Sequence, residues 1–367
     1  MDRRNFSTLL SRAMLLSGIP LTSILHTEPS PSSSLSNKPI SIWLNSSQRK
    51  YKQFTAEDWK KHLGNLRELG ITIFHIRTDK KNLEAILKHK DELDIEVNRW
   101  LWIMNQPDAT LIQQSHPEFF MVNREGNSIL THPPYVSYYK WLCPSRSKVI
   151  EFLSEFVGES LVYEELDGIH MDYIRYPEVI LPRGLWEQYN VIQIEELPKF
   201  DYCYCEVCRN RFMEMGGEDP LKMPEPEKNL GWRHFRWDTI SNVVQTLTSQ
   251  IHANNKKVSA SVFPTPYLGK KMVRQDWLSW DIDTIYPNMY HNFYRGDITW
   301  LEDVMADCMS QKEMVNSLHA ALYLPAISKE DFSTYLKTVE GADGIGLFSE
   351  ASLSRDYRRM LKEIREN

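Results

Sequence analysis

The chain has 367 residues, with 43 Lys+Arg against 49 Asp+Glu for a formal net charge of −6, and is 42% hydrophobic and 25% charged. That balance belongs to a globular protein rather than a disordered one, and its mild acidity offers no electrostatic footprint for nucleic acid or an anionic membrane surface. No uninterrupted apolar run reaches about 18 residues, which excludes a polytopic membrane protein and any expected integral span.

The first segment reads as an address. Arg3-Arg4 followed by Phe6 resembles a twin-arginine signal, an apolar stretch covers 13–25, and a Pro/Ser-rich run covers 29–37. Basic start, apolar middle and loose tail make an export signal. The expectation is therefore a periplasmic or extracellular protein, with 1–37 as signal and linker and one domain over 38–367.

From residue 40, short β-branched or aromatic runs alternate with longer runs of helical period. Strands are predicted at 40–45, 71–78, 97–105, 168–176, 258–264, 284–290, 320–324 and 344–349. Helices are predicted from Thr55, with Glu57 and Asp58 in the first turn, from about Lys81, and over 145–163 and 232–254. Others fill 270–280, 299–315, 328–340 and 352–366. Eight β/α units in order call for a parallel sheet covered by helices and closed as a (β/α)8 TIM barrel, an α/β fold. A doubly wound open sheet is the rival, but no Gly-rich phosphate loop supports it. Two irregular stretches, 107–142 and 177–230, make the chain longer than a minimal barrel. Both follow strands, so both fall on the carboxyl-end face, where barrel enzymes carry their sites.

Strand ends supply the candidate site residues. On the fourth strand, alternation turns His170 and Asp172 inward and Ile169, Met171 and Tyr173 outward. A carboxylate in that position is costly to bury without a use; a structural acid paired with Arg175 or Arg77 is the alternative. On the second strand His75 and Arg77 face inward. On the sixth, Tyr286, Asn288 and Tyr290 share a face that suits stacking and hydrogen bonding to a pyranose. Trp43, Trp102 and Trp141 lie at or beyond strand ends, as sugar platforms. The eighth strand runs into Glu350, chosen as the second carboxylate, with helix capping as its other reading. Eleven Trp and 17 Tyr fit a protein that handles sugars. Cys203, Cys205 and Cys208 cluster in the second irregular stretch. They read as a local disulfide or as part of a four-ligand zinc site completed by Cys143 or His132.

The run Asp167-Gly168-Ile169-His170-Met171-Asp172-Tyr173-Ile174-Arg175-Tyr176-Pro177 strongly resembles the fourth strand of the glycosyl hydrolase-like family 10 barrels. Supporting matches lie at 205–212 (C-x-x-C-R-x-x-F), 236–238, 258–264, Gln275-Asp276-Trp277 with Trp280, and 282–290. The resemblance implies a barrel acting on glycosidic bonds of a polysaccharide or oligosaccharide, with Asp172 as the strand-end acid. The same strand is similar to the chitinase-type D-G-x-D-x-D-x-E pattern at Asp167 and Asp172. His170 and Ile174 depart from it, and Ile174 stands where that chemistry needs its acid.

Hydrolysis of a glycosidic bond needs two carboxyl groups in most such enzymes. Asp172 is the expected general acid, raised by burial and lowered by Arg77 or Arg175. The seventh strand ends Tyr323-Leu324-Pro325 without an acid, so Glu350, Asp79 or Glu178 must provide the second, or the substrate's own acyl group must serve. Arg77, Arg175, His75, His170, Trp43, Trp102, Tyr286, Asn288 and Tyr290 are the expected substrate contacts. No cofactor and no metal are assigned. Two further readings stand beside the hydrolase. One is a non-catalytic carbohydrate-binding barrel. The other is a metal-dependent hydrolase or deacetylase built on His75, His170 and Asp172.

Overall fold

The computed structural model describes residues 37–366; apart from Asn37, the expected export signal lies outside the described residues. The strands are β1 (Ile40–Asn45), β2 (Ile71–Arg77), β3 (Glu96–Trp102), β4 (Gly168–Asp172), β5 (Lys257–Val262), β6 (Thr284–Pro287), β7 (His319–Tyr323) and β8 (Gly344–Phe348). All pairings are parallel, in the order β6-β5-β4-β3-β2-β1-β8-β7. Single parallel bridges Ile285–Leu318 and Asn288–Ala321 join β6 to β7. The sheet thereby comes round on itself as a (β/α)8 barrel.

The helices are α1 (Ala56–Arg67), α2 (Lys80–Leu87), α3 (Lys90–Leu93), α4 (Thr110–Ser115), α5 (Ser147–Leu161), α6 (Glu206–Glu214), α7 (Leu230–Ala253), α8 (Pro266–Val273), α9 (Ile298–Ser310), α10 (Phe332–Thr338) and α11 (Arg355–Glu366). Thr55 opens α1 through a reciprocal capping box, accepting from Asp58 N while its own N–H donates to the Asp58 carboxylate. Asp79 caps α2 by accepting from Asn82 N at 2.8 Å. Asp79 thus has a structural use at the start of α2.

Alternation along the strands sorts side chains as the pleat requires. Phe74, Ile76, Ile169 and Met171 pack outward in the main apolar core. Trp43, His75, His170 and Tyr286 fill the barrel axis, all fully buried. His75 and His170 have ring centroids 4.0 Å apart, and Trp43 lies 4.8 Å from His75. Gly346 makes room for that indole: a Cβ there would stand 2.8 Å from the Trp43 ring.

β4 ends at Asp172, four residues before the predicted limit, because Tyr173 turns into the left-handed region with φ 51°. β6 likewise stops at Pro287 rather than 290. Beyond these ends the two-residue alternation no longer decides where a side chain lies.

The two long excursions pack on each other over the carboxyl-end face. Within the first, antiparallel bridges join Asn105 to Trp141 and Phe120 to Leu142; between the two, Asn123 pairs with Tyr202. Tyr204 N donates to Val122 O at 2.8 Å and Arg124 N to Asp201 O at 3.0 Å. Asp201 is itself buried against Arg236 of α7, and Arg274, 3.5 Å from Asp201, also pairs with Glu196. Arg233 also pairs with Glu196 at 3.1 Å, so every carboxylate of this cluster faces at least one guanidinium, the condition under which interior charge is tolerated.

Candidate active site

A cavity of about 360 Å³ opens at the carboxyl ends of β4, β5 and β6, within the size range of small-molecule sites. Asp172, Arg175, Glu178, Asn288 and eight tyrosines line it. Tyr135, Tyr138 and Tyr139 come from the first excursion and Tyr173 and Tyr189 from the second. Tyr290 and Tyr294 follow β6, and Tyr323 ends β7. Tyr290 and Tyr323 have ring centroids 5.1 Å apart, and Phe348 lies 5.9 Å from Tyr290.

Asp172 is the last residue of β4. Its Oδ1 accepts from Tyr173 N at 2.7 Å and its Oδ2 from Trp100 Nε1 at 3.0 Å. Burial pushes its carboxyl above the ordinary aspartate range, against the opposing pull of those two donors and of Arg175 and Arg77. The result is a carboxyl group held in place by two N–H donors and inclined to keep its proton.

Glu178 stands in a different setting. It accepts from Arg175 Nη2 at 2.8 Å and from Tyr139 Oη at 3.0 and 3.2 Å. Arg175 is in turn caged by aromatic faces, with its guanidinium carbon 4.9 Å from the Trp141 ring, 5.1 Å from Tyr173 and 5.2 Å from Phe263. Burial and the charge of Glu178 push the Tyr139 phenol well up, so it serves as a neutral hydroxyl. The cavity thus holds two carboxyl groups in different settings, Asp172 bound by two N–H donors and Glu178 by a guanidinium and a phenol.

Of the sequence-predicted site residues, the cavity brings together Asp172, Arg175, Asn288 and Tyr290. Asn288 Oδ1 has no hydrogen-bond partner among the described residues, which leaves an acceptor at the cavity wall. Arg77 and Trp102 sit beside the rim: the Arg77 guanidinium lies 3.8 Å over the Trp102 ring and pairs with exposed Asp108 at 2.7 Å, and Trp102 packs 4.8 Å from Tyr173. Trp43, His75, His170 and Tyr286 lie beneath the cavity floor rather than on it, because the barrel axis closes over them. Trp141 is also fully buried, behind Arg175, and is no platform.

His170 has both ring nitrogens engaged, at 2.8 Å by Ser259 Oγ and 2.9 Å by Ser261 Oγ, and burial pulls its pKa down to about 3. Among the described residues, the group of Cys, His and acidic side chains close enough to share an ion is formed by cysteines elsewhere, not by His75, His170 and Asp172.

Glu350 is the principal departure from expectation. It is buried outside the cavity, hydrogen-bonded to Tyr51 Oη at 2.7 Å and paired with Lys50 at 3.0 Å and His62 at 3.4 Å. Burial works to raise its pKa, but His62, Tyr51 and Lys50 outweigh that and hold it at about 2. A carboxyl group so enclosed ties β8 to the loop after β1 and does not share the cavity of Asp172.

Glu178 was one of three candidates for the second acid, and only the cavity singles it out. Tyr173 was expected to face the helices; its left-handed backbone swings it to the cavity instead. Tyr135, Tyr138 and Tyr139 were not singled out. Their density in Pro133-Pro134-Tyr135-Val136-Ser137-Tyr138-Tyr139 was the available signal.

Comparison with solved structures finds the same barrel fold. The glycoside hydrolase domain of PgaB (BpsB) from Bordetella bronchiseptica superposes with a TM-score of 0.65 at 10% identity, covering 89% of this chain and 98% of that one. A β-galactosidase from Bacillus circulans sp. alkalophilus gives a TM-score of 0.56 at 10% identity, covering 90% of this chain and 55% of that one. At such identities the likeness is one of fold. A search of the curated proteins found no match to the sequence. The sequence pattern of the family described as glycosyl hydrolase-like 10 matches residues 59–323, most of the barrel and both excursions, and the chain belongs to that family.

Proposed function

We propose that the protein is a glycoside hydrolase acting on a polysaccharide or oligosaccharide, with Asp172 as general acid and Glu178 as the second carboxylate. The observation that carries this reading is the presence of both carboxyl groups on one tyrosine-lined cavity, in contrasting surroundings. Asp172 delivers its proton to the glycosidic oxygen as the bond to the anomeric carbon breaks. Glu178 stabilises the developing positive charge and takes a proton from the water that adds to that carbon. Tyrosine rings stack on sugar faces while their hydroxyls and the Asn288 amide meet sugar hydroxyls. Arg175 positions Glu178 without touching the reacting bond. Export, suggested by the Arg3-Arg4 segment and the apolar run after it, would bring such an enzyme to extracytoplasmic glycans.

The Arg175–Glu178 ion pair favours a second reading, a carbohydrate-binding barrel whose second acid is permanently engaged. One experiment separates the two. Reducing-end release from neutral, amino and acidic polysaccharides is compared for the wild type and Asp172→Asn. Loss of at least about a hundredfold in a folded variant supports hydrolysis by this acid. Sugar binding with no release by the wild type supports the binding barrel.

A further inference from the structure

Four cysteines meet away from the carboxylate cavity. Cys143 closes the first excursion just ahead of α5; Cys203, Cys205 and Cys208 come from the second, with Cys205 at the N-cap of α6. Their Sγ atoms all lie within 4.8 Å of one another and all four residues are buried. Cys143 Sγ stands 3.4 Å from that of Cys208 and 3.6 Å from that of Cys205. These are not disulfides, whose sulfurs would be about 2.05 Å apart, and all four cysteines are free.

We infer that Cys143, Cys203, Cys205 and Cys208 form a structural zinc site. The distances carry the inference. In a tetrahedral site with Zn–S bonds of about 2.3 Å, neighbouring sulfurs are separated by about 3.8 Å. The observed separations of 3.4 and 3.6 Å, within a group spanning at most 4.8 Å, bracket that edge. Two independent pieces of chain, 62 and 65 residues apart in sequence, converge to produce it. Four protein ligands leave no open position, so the site is structural rather than catalytic. Ser145 Oγ, 3.2 Å from Cys208 Sγ, supplies a hydrogen-bond partner outside the ligand set, and Arg211 fixes Ser145 through its carbonyl at 2.6 Å.

The site's role follows from what it ties together. The first excursion carries Tyr135, Tyr138 and Tyr139; the second carries Arg175, Glu178 and Tyr189. A metal bound to both would hold the two walls of the carboxylate cavity in register. This assignment uses no part of the hydrolase reading, and it chooses between the disulfide and the zinc site that the sequence leaves open.

The test is elemental analysis of the purified full-length protein, with thiol titration and mass measurement on the same sample. One zinc per chain is expected, released when a mercurial reagent modifies the thiols. Cys143→Ser and Cys208→Ser are expected to lose it, whereas Cys308→Ser, altered at a thiol bonded to Pro264 O well away from the cluster, keeps it. If the ligand variants fail to fold, replacing the wild-type zinc with cobalt(II) still reads the site, through the absorption of a tetrahedral thiolate complex. Metal-free protein with all four thiols titratable and a Tm unchanged by added zinc would overturn the inference. So would a mass showing two disulfides among these cysteines, or iron as the resident metal.

Discussion

Trp100 Nε1 donates to Oδ2 of Asp172 across the β3–β4 pair at 3.0 Å. Trp100 is two residues before Trp102, the register partner of Asp172, so its indole reaches along the barrel wall to the carboxyl group from below. The contact favours the charged form of a group that burial otherwise pushes toward its acid form. Trp100 is thus a positioning residue that limits how far the Asp172 pKa rises.

Trp100→Phe removes the donor and is expected to raise the Asp172 pKa further. A general acid works only while protonated, so the high-pH limb of the rate profile should move upward. A hydrogen bond to a charged group is worth about 1.5–3 kcal/mol, which corresponds to about one to two pH units. The check is kcat/KM against pH for both proteins at a temperature where each is folded. An unmoved limb would remove Asp172 from the role of proton donor.

Glu178→Gln keeps the shape of the side chain and removes its charge. The expected result is a fall in kcat of about a hundredfold with KM little changed, since the charge is needed in the transition state rather than for binding. Tyr139→Phe deletes one hydrogen bond to the same carboxylate and should cost about 1 kcal/mol, or roughly fivefold in kcat. Full activity in Glu178→Gln would mean that the second acid comes from the substrate or that none is used.

The barrel was legible because its strands and helices obey local rules. The Thr55 cap and the inward-outward alternation of β2 and β4 depend on neighbours in sequence, and the structure repeats them with shifts of a few residues. Asp172 was readable as an inward residue of β4 by the same alternation, although the predicted strand ran four residues past it. Glu178 was not, because its place depends on how residues 173–178 turn after the left-handed Tyr173. The tyrosine wall depends on two excursions packing together, which no periodicity encodes. Trp43 and His75 were placed on the correct side of the sheet but too high. Alternation gives the direction of a side chain and not its depth along the barrel.

Glu350 gives a prediction opposite in kind to those for the cavity. Its native pKa of about 2 lies below the ordinary 4.5, so its charge contributes stability fully above pH about 4.5 and loses that contribution as pH falls toward 2. Glu350→Gln is expected to lower Tm at neutral pH, with the gap to wild type narrowing through that acid window. Activity per folded molecule should stay within a few-fold. Activity lost without any change in Tm would restore Glu350 to the catalytic machinery.

Gly168, which opens β4, tests the close packing that places Asp172. A Cβ there would lie 2.4 Å from Lys257 O and 2.6 Å from Asn98 Oδ1, so the β5 backbone and the Asn98 side chain would have to move. Gly168→Ala is expected to destabilise by about 1–3 kcal/mol, the usual cost of overpacking. Because β4 carries the acid at its far end, activity should fall as well. Gly64, inside α1, is the internal comparison: its added Cβ would meet only Leu93 at an ordinary 3.5 Å. There the same substitution should stabilise by about 0.5–1 kcal/mol through helix propensity. Denaturant midpoints for the two variants should therefore move in opposite directions. A Gly168→Ala protein as stable and as active as the wild type would show that β4 tolerates a displacement, and that Asp172 is not held by the strand as closely as its two N–H contacts imply.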